Sequence, residues 1–335
     1  MSKPTLSIVI PTYNEKDNIF KILEKLKKVL KSTTHEIIFV DDNSPDGTSA
    51  VIKDCIKNSS NVRLIHRIGR KGLAGAVIEG VFAANADLIA VMDCDLQHDE
   101  TKLLDMINLF SKNNSLDIVI GSRFTETGEI SEKAFSKMRE LGSKATTLII
   151  KKVLNIESTD PLSGFFMVKK ESFLKSSENL QTQGFKVLAD FLATSKNNIE
   201  IKEIGYKFKN RTAGESKMGL LTALELIGLV LSQILKGRVS IRFILFCMVG
   251  LSGIFVQLLI TGLTMLLINQ FPTSQTVGII AAMTSNYFLN NIITFQERQL
   301  KSLDLIRGLF SFYLICSLGG GFLLQTKMLL LDQLQ

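Results

Sequence analysis

Two aspartates one residue apart, Asp93 and Asp95, follow a short apolar run, and Gln97 and His98 come directly after. Carboxylates at i and i+2 just past a strand can hold one hard divalent cation that also bridges a substrate diphosphate. Oxygen donors suit Mg2+ or Mn2+, and Gln97 offers a further amide oxygen. An Asp-x-Asp alone is commonly a loop cap; its place at a strand end favours the metal. A second acidic pair, Asp41-Asp42, opens Asn43-Ser44-Pro45-Asp46-Gly47-Thr48. These residue types favour turns, and a carboxylate at a strand end can also accept hydrogen bonds from a nucleobase or ribose; both readings can hold. Arg123 follows a further strand in Gly121-Ser122-Arg123, and Arg139, Ser143, Arg211 and Lys217 complete a scattered basic set. Arginine suits planar, multidentate phosphate binding. Each of these residues singly reads as a solvated surface group; together they point to a phosphate site.

Positioning these groups requires a sheet. Leu6–Ile10 is an apolar run ending at Pro11, followed by a helix with an apolar stripe of Ile19, Ile22, Leu26 and Leu30. Glu36–Val40 reads as the next buried strand, Gly75–Ala84 as a helix, Leu88–Met92 as a third strand and Asp117–Ile120 as a fourth. Strands that are apolar without alternation, separated by helices, predict an α/β domain built on a parallel sheet with helices on both faces. Ligands in such folds sit beyond the carboxyl ends of the strands, where Glu15, Asp42, Asp93 and Asp95 fall.

Composition narrows the function classes. The chain has 335 residues, 46% hydrophobic and 21% charged, which excludes disorder. Its four cysteines are scattered without a Cys-x-x-Cys, which excludes a disulfide scaffold and a zinc ribbon. Residues 1–242 hold 35 basic and 29 acidic side chains, a surplus that suits a phosphorylated ligand or an anionic membrane face. No Lys/Arg block interleaved with aromatics occurs, so nucleic acid is not an expected partner. Gly69-Arg70-Lys71-Gly72-Leu73-Ala74-Gly75 lacks the spacing of a dinucleotide or P-loop site. His35 and His66 read as structural or surface residues, and Met-Ser-Lys-Pro shows no signal-peptide pattern.

From Phe243 to Gln296, 54 consecutive residues carry no Asp, Glu, Lys, Arg or His. A membrane span needs about 20 apolar residues. Spans are expected near Phe243–Ile268 and Thr276–Phe295, with a third in the uncharged run Gly308–Thr326. Lys236, Arg238 and Arg242 precede the first span, and Arg298, Lys301 and Arg307 join the second to the third. By the positive-inside rule both clusters, and the N-terminal domain, face the cytoplasm. Leu220–Leu235 is apolar but contains Glu225, and crossing there would put the N-terminal domain and the basic clusters on opposite sides; it reads as a helix lying in the interface. Arg139–Leu154 reads either as a second such helix or as a domain-packing helix. The resulting division is 1–218 as a cytoplasmic catalytic domain, 219–240 as interfacial helix and linker, and 241–335 as membrane domain.

Pro11-Thr12-Tyr13-Asn14-Glu15, Val40 through Thr48, Asp93-Cys94-Asp95-Leu96-Gln97-His98, Gly121-Ser122-Arg123, Ser163-Gly164-Phe165 and Arg211-Thr212-Ala213-Gly214-Glu215-Ser216-Lys217 occur in this order. Together they resemble the polyprenol-phosphate (dolichol-phosphate) mannose synthases of glycosyltransferase family 2, over about residues 4–235. Ser285-Asn286-Tyr287 to Thr294-Phe295 resembles a GtrA-like membrane domain, which usually has four spans, one more than expected here. The resemblance implies a GT-A fold that transfers mannose from GDP-mannose to a polyprenyl phosphate. It places Pro11, Tyr13, Glu15, Val40 and Asp42 on the nucleotide, with the Cys94 backbone near the donor. It places Asp93, Asp95 and Gln97 on the metal. Arg123, Arg139, Ser143, Arg211 and Lys217 would meet the acceptor phosphate or the donor diphosphate. The sequence departs from the family at Cys94, usually alanine, and at Asp99-Glu100, where proline often follows the histidine. Neither change removes a ligand.

A phosphate monoester is already anionic at neutral pH, its second pKa being near 6, so no general base is expected. The chemistry then asks for an electrostatic clamp and in-line displacement with inversion. Transfer from UDP-glucose or another UDP-sugar to undecaprenyl phosphate is the nearest alternative. A lipid-linked-sugar translocator is a third, and a processive polysaccharide synthase is disfavoured because the chain has no tryptophan for its Gln-x-x-Arg-Trp motif. The tail reads as an anchor and a contact for homo-oligomers.

Overall fold

The computed structural model describes residues 3–69, 72–125, 129–130, 156–178, 180, 187–195, 199–209, 220–235 and 238–332. Contacts divide the chain into two units, Met1–Ile241 and Arg242–Gln335.

The first unit is built on β1 (Leu6–Thr12), β2 (His35–Asp41), β3 (Val62–His66), β4 (Leu88–Val91), β5 (Leu116–Ser122), β7 (Phe166–Lys169) and β8 (Glu200–Gly205), with the short pair β6 (Glu129–Ile130) and β9 (Lys207–Phe208) beside them. The large sheet runs β3-β2-β1-β4-β7-β5-β8. Every residue of β1 is buried, so its side chains serve both faces in alternation. Leu6, Ile8 and Ile10 pack with Ile19, Ile22 and Leu26 of α1 (Ile19–Val29), Ile52 of α2 (Thr48–Lys57) and Leu103 and Met106 of α4 (Lys102–Lys112). Val9 faces the other way, onto Val77 and Val81 of α3 (Leu73–Ala83), in a cluster that also holds Phe173 of α5 (Lys170–Ser177) and Phe191 of α6 (Val187–Ser195). Gly80 lets α3 lie close on the sheet: a Cβ there would come within 2.3 Å of Val9. The last helix of this unit is α7 (Leu220–Ile234).

The sheet departs from the all-parallel expectation in one strand. β7 runs antiparallel to both neighbours, with Val91 and Ile120 each opposite Phe166. Its approach explains the direction. The Gly121 N–H donates to the Phe165 carbonyl at 2.9 Å, so Ser163-Gly164-Phe165 already lies at the carboxyl edge and the strand must run back from it.

The second unit contains α8 (Ile241–Ile268), α9 (Phe271–Leu289), a π-helical turn at Asn290–Thr294 and α10 (Ser302–Asp332). Among the described residues α8 alone is long and apolar enough to cross a membrane, with mean hydropathy 2.5 over its window. At about 1.5 Å per residue it exceeds a 30 Å hydrocarbon core. α9 begins earlier than the sequence suggested because Pro272 sits in its first turn, where a missing N–H is tolerated. Glycines set the helix contacts within this unit: a Cβ at Gly253 would meet the Asn286 amide at 2.5 Å, and one at Gly278 would meet Thr261 Oγ1 at 2.1 Å.

Candidate active site

The carboxyl edge of the sheet gathers most of the expected residues. Register puts Pro11 beside Val40 and Thr12 beside Asp41. Just beyond the strands the backbone turns sharply: Asn14 (φ 60°), Asn43 (φ 55°) and Leu96 (φ 63°) are left-handed, one after each of β1, β2 and β4. Asparagine tolerates this conformation; leucine does so only with strain of about 1–3 kcal/mol held by its surroundings. Leu96 is the residue after Asp95. The loop after β1 is tied to the one after β2, through the Asn14 N–H on Ser44 Oγ at 2.9 Å and the Glu15 N–H on Thr48 Oγ1 at 3.0 Å. Tyr13 is exposed.

Asp41 is fully buried and accepts the Ser44 N–H at 3.0 Å and the Ser44 and Ser49 hydroxyls at 2.6 Å each. Asp42, given to the nucleotide by the family resemblance, forms a buried ion pair with Arg67 and accepts the Gly72 N–H at 2.7 Å. Burial lifts its pKa above the ordinary carboxylate value, against the pull of Gly72 and Arg67. Its carboxylate thus holds the turn after β3, which Arg67 also binds through the Gly72 carbonyl at 3.0 Å.

At the end of β4, Asp95 is buried and accepts the Gln97 N–H at 3.1 Å. The Gln97 side-chain NH2 donates to the Lys209 carbonyl at 3.0 Å, so its amide orientation is set by the backbone just past β9. Asp93 keeps 38% of its side chain exposed and lies 3.1 Å from His98 Nε2. His98 Nδ1 is 2.9 Å from the Tyr206 hydroxyl. Burial, with Glu15, Asp95 and Asp93 adding to it, pushes the Cys94 thiol well up, so this side chain is an inert core group and only its backbone borders the site. A cleft lined by Leu73, Val77, Leu162, Ser163 and Leu188 opens beside Asp93.

Arg123 is held by Asp160, which is fully buried: Nε and Nη2 each donate to a carboxylate oxygen at 2.7 Å, and the backbone N–H at 3.1 Å. The guanidinium lies 5.4 Å from the Phe208 ring centroid and 5.3 Å from that of Phe124. Glu203 anchors the turn that carries Asp160, accepting the Ser158 hydroxyl at 2.6 Å and the Thr159 N–H at 2.7 Å. Arg139, Ser143, Arg211, Lys217 and the candidate helix Arg139–Leu154 lie outside the described residues.

The donor set at Asp93 and Asp95 fits a shared cation better than an enclosed one. Among the described residues no three His, Cys, Asp or Glu side chains converge. Two carboxylates with a neighbouring amide leave the remaining positions for water and phosphate oxygens, as Mg2+ commonly requires. Asp160, Arg67, Tyr206 and Glu203 escaped the sequence reading. Asp160 had a weak signal, an acid beside a proline three residues before Ser163-Gly164-Phe165; the others are single residues without a pattern.

The sequence pattern of glycosyl transferase family 2 matches residues 7–176, and that of the GtrA/DPMS transmembrane domain matches residues 245–335. The chain is 34% identical to a dolichol-phosphate mannosyltransferase of Pyrococcus furiosus over 301 residues, 87% of this chain and 81% of the relative. It is 32% identical to the dolichol-phosphate mannosyltransferase of Saccharomyces cerevisiae over 223 residues, 63% of this chain and 80% of the relative. Glucosyl-3-phosphoglycerate synthase from Mycobacterium tuberculosis, solved with Mn2+, UDP-glucose and phosphoglyceric acid, superposes with a TM-score of 0.54 at 16% identity, over 69% of this chain and 79% of that one. The same enzyme solved with Mg2+ and UDP also gives 0.54, at 16% identity over 69% of this chain and 79% of that one. At that identity the likeness carries the GT-A fold alone. The transmembrane match, with most of α8 inside it, makes this a membrane protein. The chain therefore belongs to glycosyl transferase family 2, as a glycosyltransferase that carries a GtrA/DPMS transmembrane domain behind its GT-A fold.

Proposed function

We propose that the chain transfers mannose from GDP-mannose to a membrane polyprenyl (dolichyl) phosphate, with inversion, giving polyprenyl phosphate β-mannose. The observation that carries this reading is similarity to a dolichol-phosphate mannosyltransferase running through 301 residues, catalytic and membrane parts alike. In this reading Pro11, Tyr13, Glu15 and Val40 border the nucleotide, and Asp42 shapes that end through Arg67 and Gly72. Asp93, Asp95 and Gln97 would hold Mg2+ or Mn2+. The bound ion would supply positive charge to the departing diphosphate.

The rest is the work of the chain itself. The acceptor oxygen arrives ionised, so the site has to orient a nucleophile and not to deprotonate it. Arg123 is pre-organised for this: Asp160 and two aromatic rings fix its plane, and its outer N–H groups remain for a phosphate oxygen. Arg139, Ser143, Arg211 and Lys217 complete the acceptor site or meet the donor diphosphate.

For the membrane end we propose residues 1–218 as the cytoplasmic catalytic domain, 219–240 as interfacial helix and linker, and 241–335 as about three spans, with homo-oligomers formed through the membrane domain. On α7 and the residue that follows it, Ile227, Leu231, Ile234 and Leu235 are exposed while Leu229 and Ser232 are buried. Spacings of four, three and one put the exposed four on one helical face, which supports a helix lying in lipid headgroups. The basic residues Arg298, Lys301 and Arg307 support the cytoplasmic side.

The test is a panel of labelled nucleotide sugars offered to the detergent-solubilised protein with a short polyprenyl phosphate. Lipid labelling from GDP-mannose, abolished by a chelator and restored by Mn2+, is the expected result. Labelling from UDP-glucose alone would move the assignment to undecaprenyl phosphate glucosylation.

A further inference from the structure

One oxygen of Asp93, Oδ2, has two close neighbours. His98 Nε2 approaches Oδ2 at 3.1 Å, and a Cβ added at Gly164 would stand 2.5 Å from that same Oδ2 but 3.2 Å from Oδ1. One oxygen is thus pinned between an imidazole and a bare Cα. The imidazole is itself clamped. It is 3% exposed, stacked on Phe165 at 5.2 Å and 23°, and met edge-on by Phe208 at 6.0 Å. Its other nitrogen, Nδ1, lies 2.9 Å from the Tyr206 hydroxyl.

Hydrogen-bond direction follows from the donor inventory. An ionised carboxylate only accepts, so Nε2 carries the ring proton; in the neutral ring Nδ1 then accepts, and Tyr206 donates. Tyr206 is 1% exposed, and burial pushes its pKa up, so the hydroxyl keeps its proton. A metal-ligating carboxylate depends on such outer partners for its orientation.

We propose that Tyr206 and His98 are positioning residues, whose relay of two hydrogen bonds fixes Oδ2 of Asp93 and so orients this carboxylate toward the cation that accompanies the donor diphosphate. The proposal rests on the reading of Asp93 as a metal ligand. It differs from a satisfied core histidine because the far end of the relay, a buried phenol between β8 and β9, should then control metal affinity.

The experiment is titration of the full-length protein with Mn2+ in the presence of GDP, followed by electron paramagnetic resonance, together with GDP affinity measured in EDTA. Tyr206→Phe removes one oxygen and keeps the ring; it should weaken Mn2+ binding about tenfold, and His98→Leu by up to about 100-fold. His98→Gln, whose amide nitrogen can occupy the place of Nε2, should recover most of that loss. GDP affinity in EDTA should stay at the wild-type value throughout. Wild-type Mn2+ affinity in folded Tyr206→Phe would overturn the relay while leaving the metal reading intact. A parallel fall in chelator-insensitive GDP binding would show a structural role and overturn it equally. Should the wild-type protein bind no Mn2+ with GDP, the metal assignment falls and the relay with it. If His98→Leu does not fold, the Tyr206→Phe and His98→Gln arms decide.

Discussion

At the carboxyl end of β2, Asp41 and Asp42 meet the Ser44 and Ser49 hydroxyls, the Arg67 guanidinium and the N–H groups of Ser44 and Gly72. At the end of β4, two strands away in the same sheet, the setting differs. Asp93 has one oxygen against His98 and 38% of its side chain exposed, and Asp95 receives the Gln97 N–H. The two places share residue type and topology. They differ in the residues just downstream: Asn-Ser-Pro-Asp-Gly-Thr supplies hydroxyls and turn donors within eight residues of Asp41, whereas Leu-Gln-His supplies no hydroxyl. Asp41 is bound by its own turn and Asp42 by Arg67 and Gly72 from farther along the chain, and we propose that this end serves as framework. The pair at β4 is followed by a left-handed leucine, and its Asp93 is partly exposed.

Exchanging the charge at each place tests that contrast most strongly. Asp95→Asn should lower kcat by about 10³-fold, or about 4 kcal/mol of barrier, since an amide is a poor ligand for a hard cation. Its melting midpoint should stay within about 2 °C of wild type. Asp42→Asn should do the reverse. It leaves Arg67 buried with Glu79 as its remaining carboxylate partner, and should lose about 3 kcal/mol of stability in urea unfolding. Its kcat at saturating donor, below the unfolding range, should be close to wild type. Should Asp42→Asn instead raise the KM for donor with stability unchanged, the β2 end would be a ligand site and the contrast would fail.

The sequence carried this contrast only in part, for physical reasons. β1, β2, β4 and β5 were legible because strands buried on both faces need uninterrupted apolar runs, and the acids that end them were legible with them. The partners of Asp42 were not legible, because Arg67 and Gly72 arrive from 25 and 30 residues downstream. Arg123 was recognised by type, but its holder Asp160 lies 37 residues away in the sequence. The direction of β7 was hidden for a different reason. Phe166–Lys169 has the same apolar pattern whichever way it runs, and direction is set by the tie between Gly121 and Phe165 at its entrance.

A smaller effect sharpens the β4 side alone. Gly164→Ala places a methyl against Asp93 Oδ2, and the carboxylate is the group that can give way. Turnover should fall about tenfold, in the range seen when the support of a metal ligand is disturbed, and added Mn2+ should recover part of it. Wild-type turnover at low Mn2+ would mean that the position of Asp93 matters little.

The mildest test returns to β2. The Asp46 carboxylate accepts the Thr48 hydroxyl at 2.6 Å, the Thr48 N–H at 3.0 Å and the Lys16 N–H at 3.2 Å. Burial alone would raise its pKa, but these bonds together hold it below the ordinary aspartate value. The folded pKa being the lower one, the ionised group adds stability above about pH 4, and that stability is lost as the pH falls through the folded value. Asp46→Asn should therefore be less stable by about 1 kcal/mol at pH 7, with the gap to wild type closing between about pH 4 and pH 2. Thermal unfolding across that range measures it. A gap that stays constant would mean the charge is irrelevant to the turn. A variant that keeps its stability but loses donor affinity would place this corner among the binding groups, and the two strand ends would then differ in degree and not in kind.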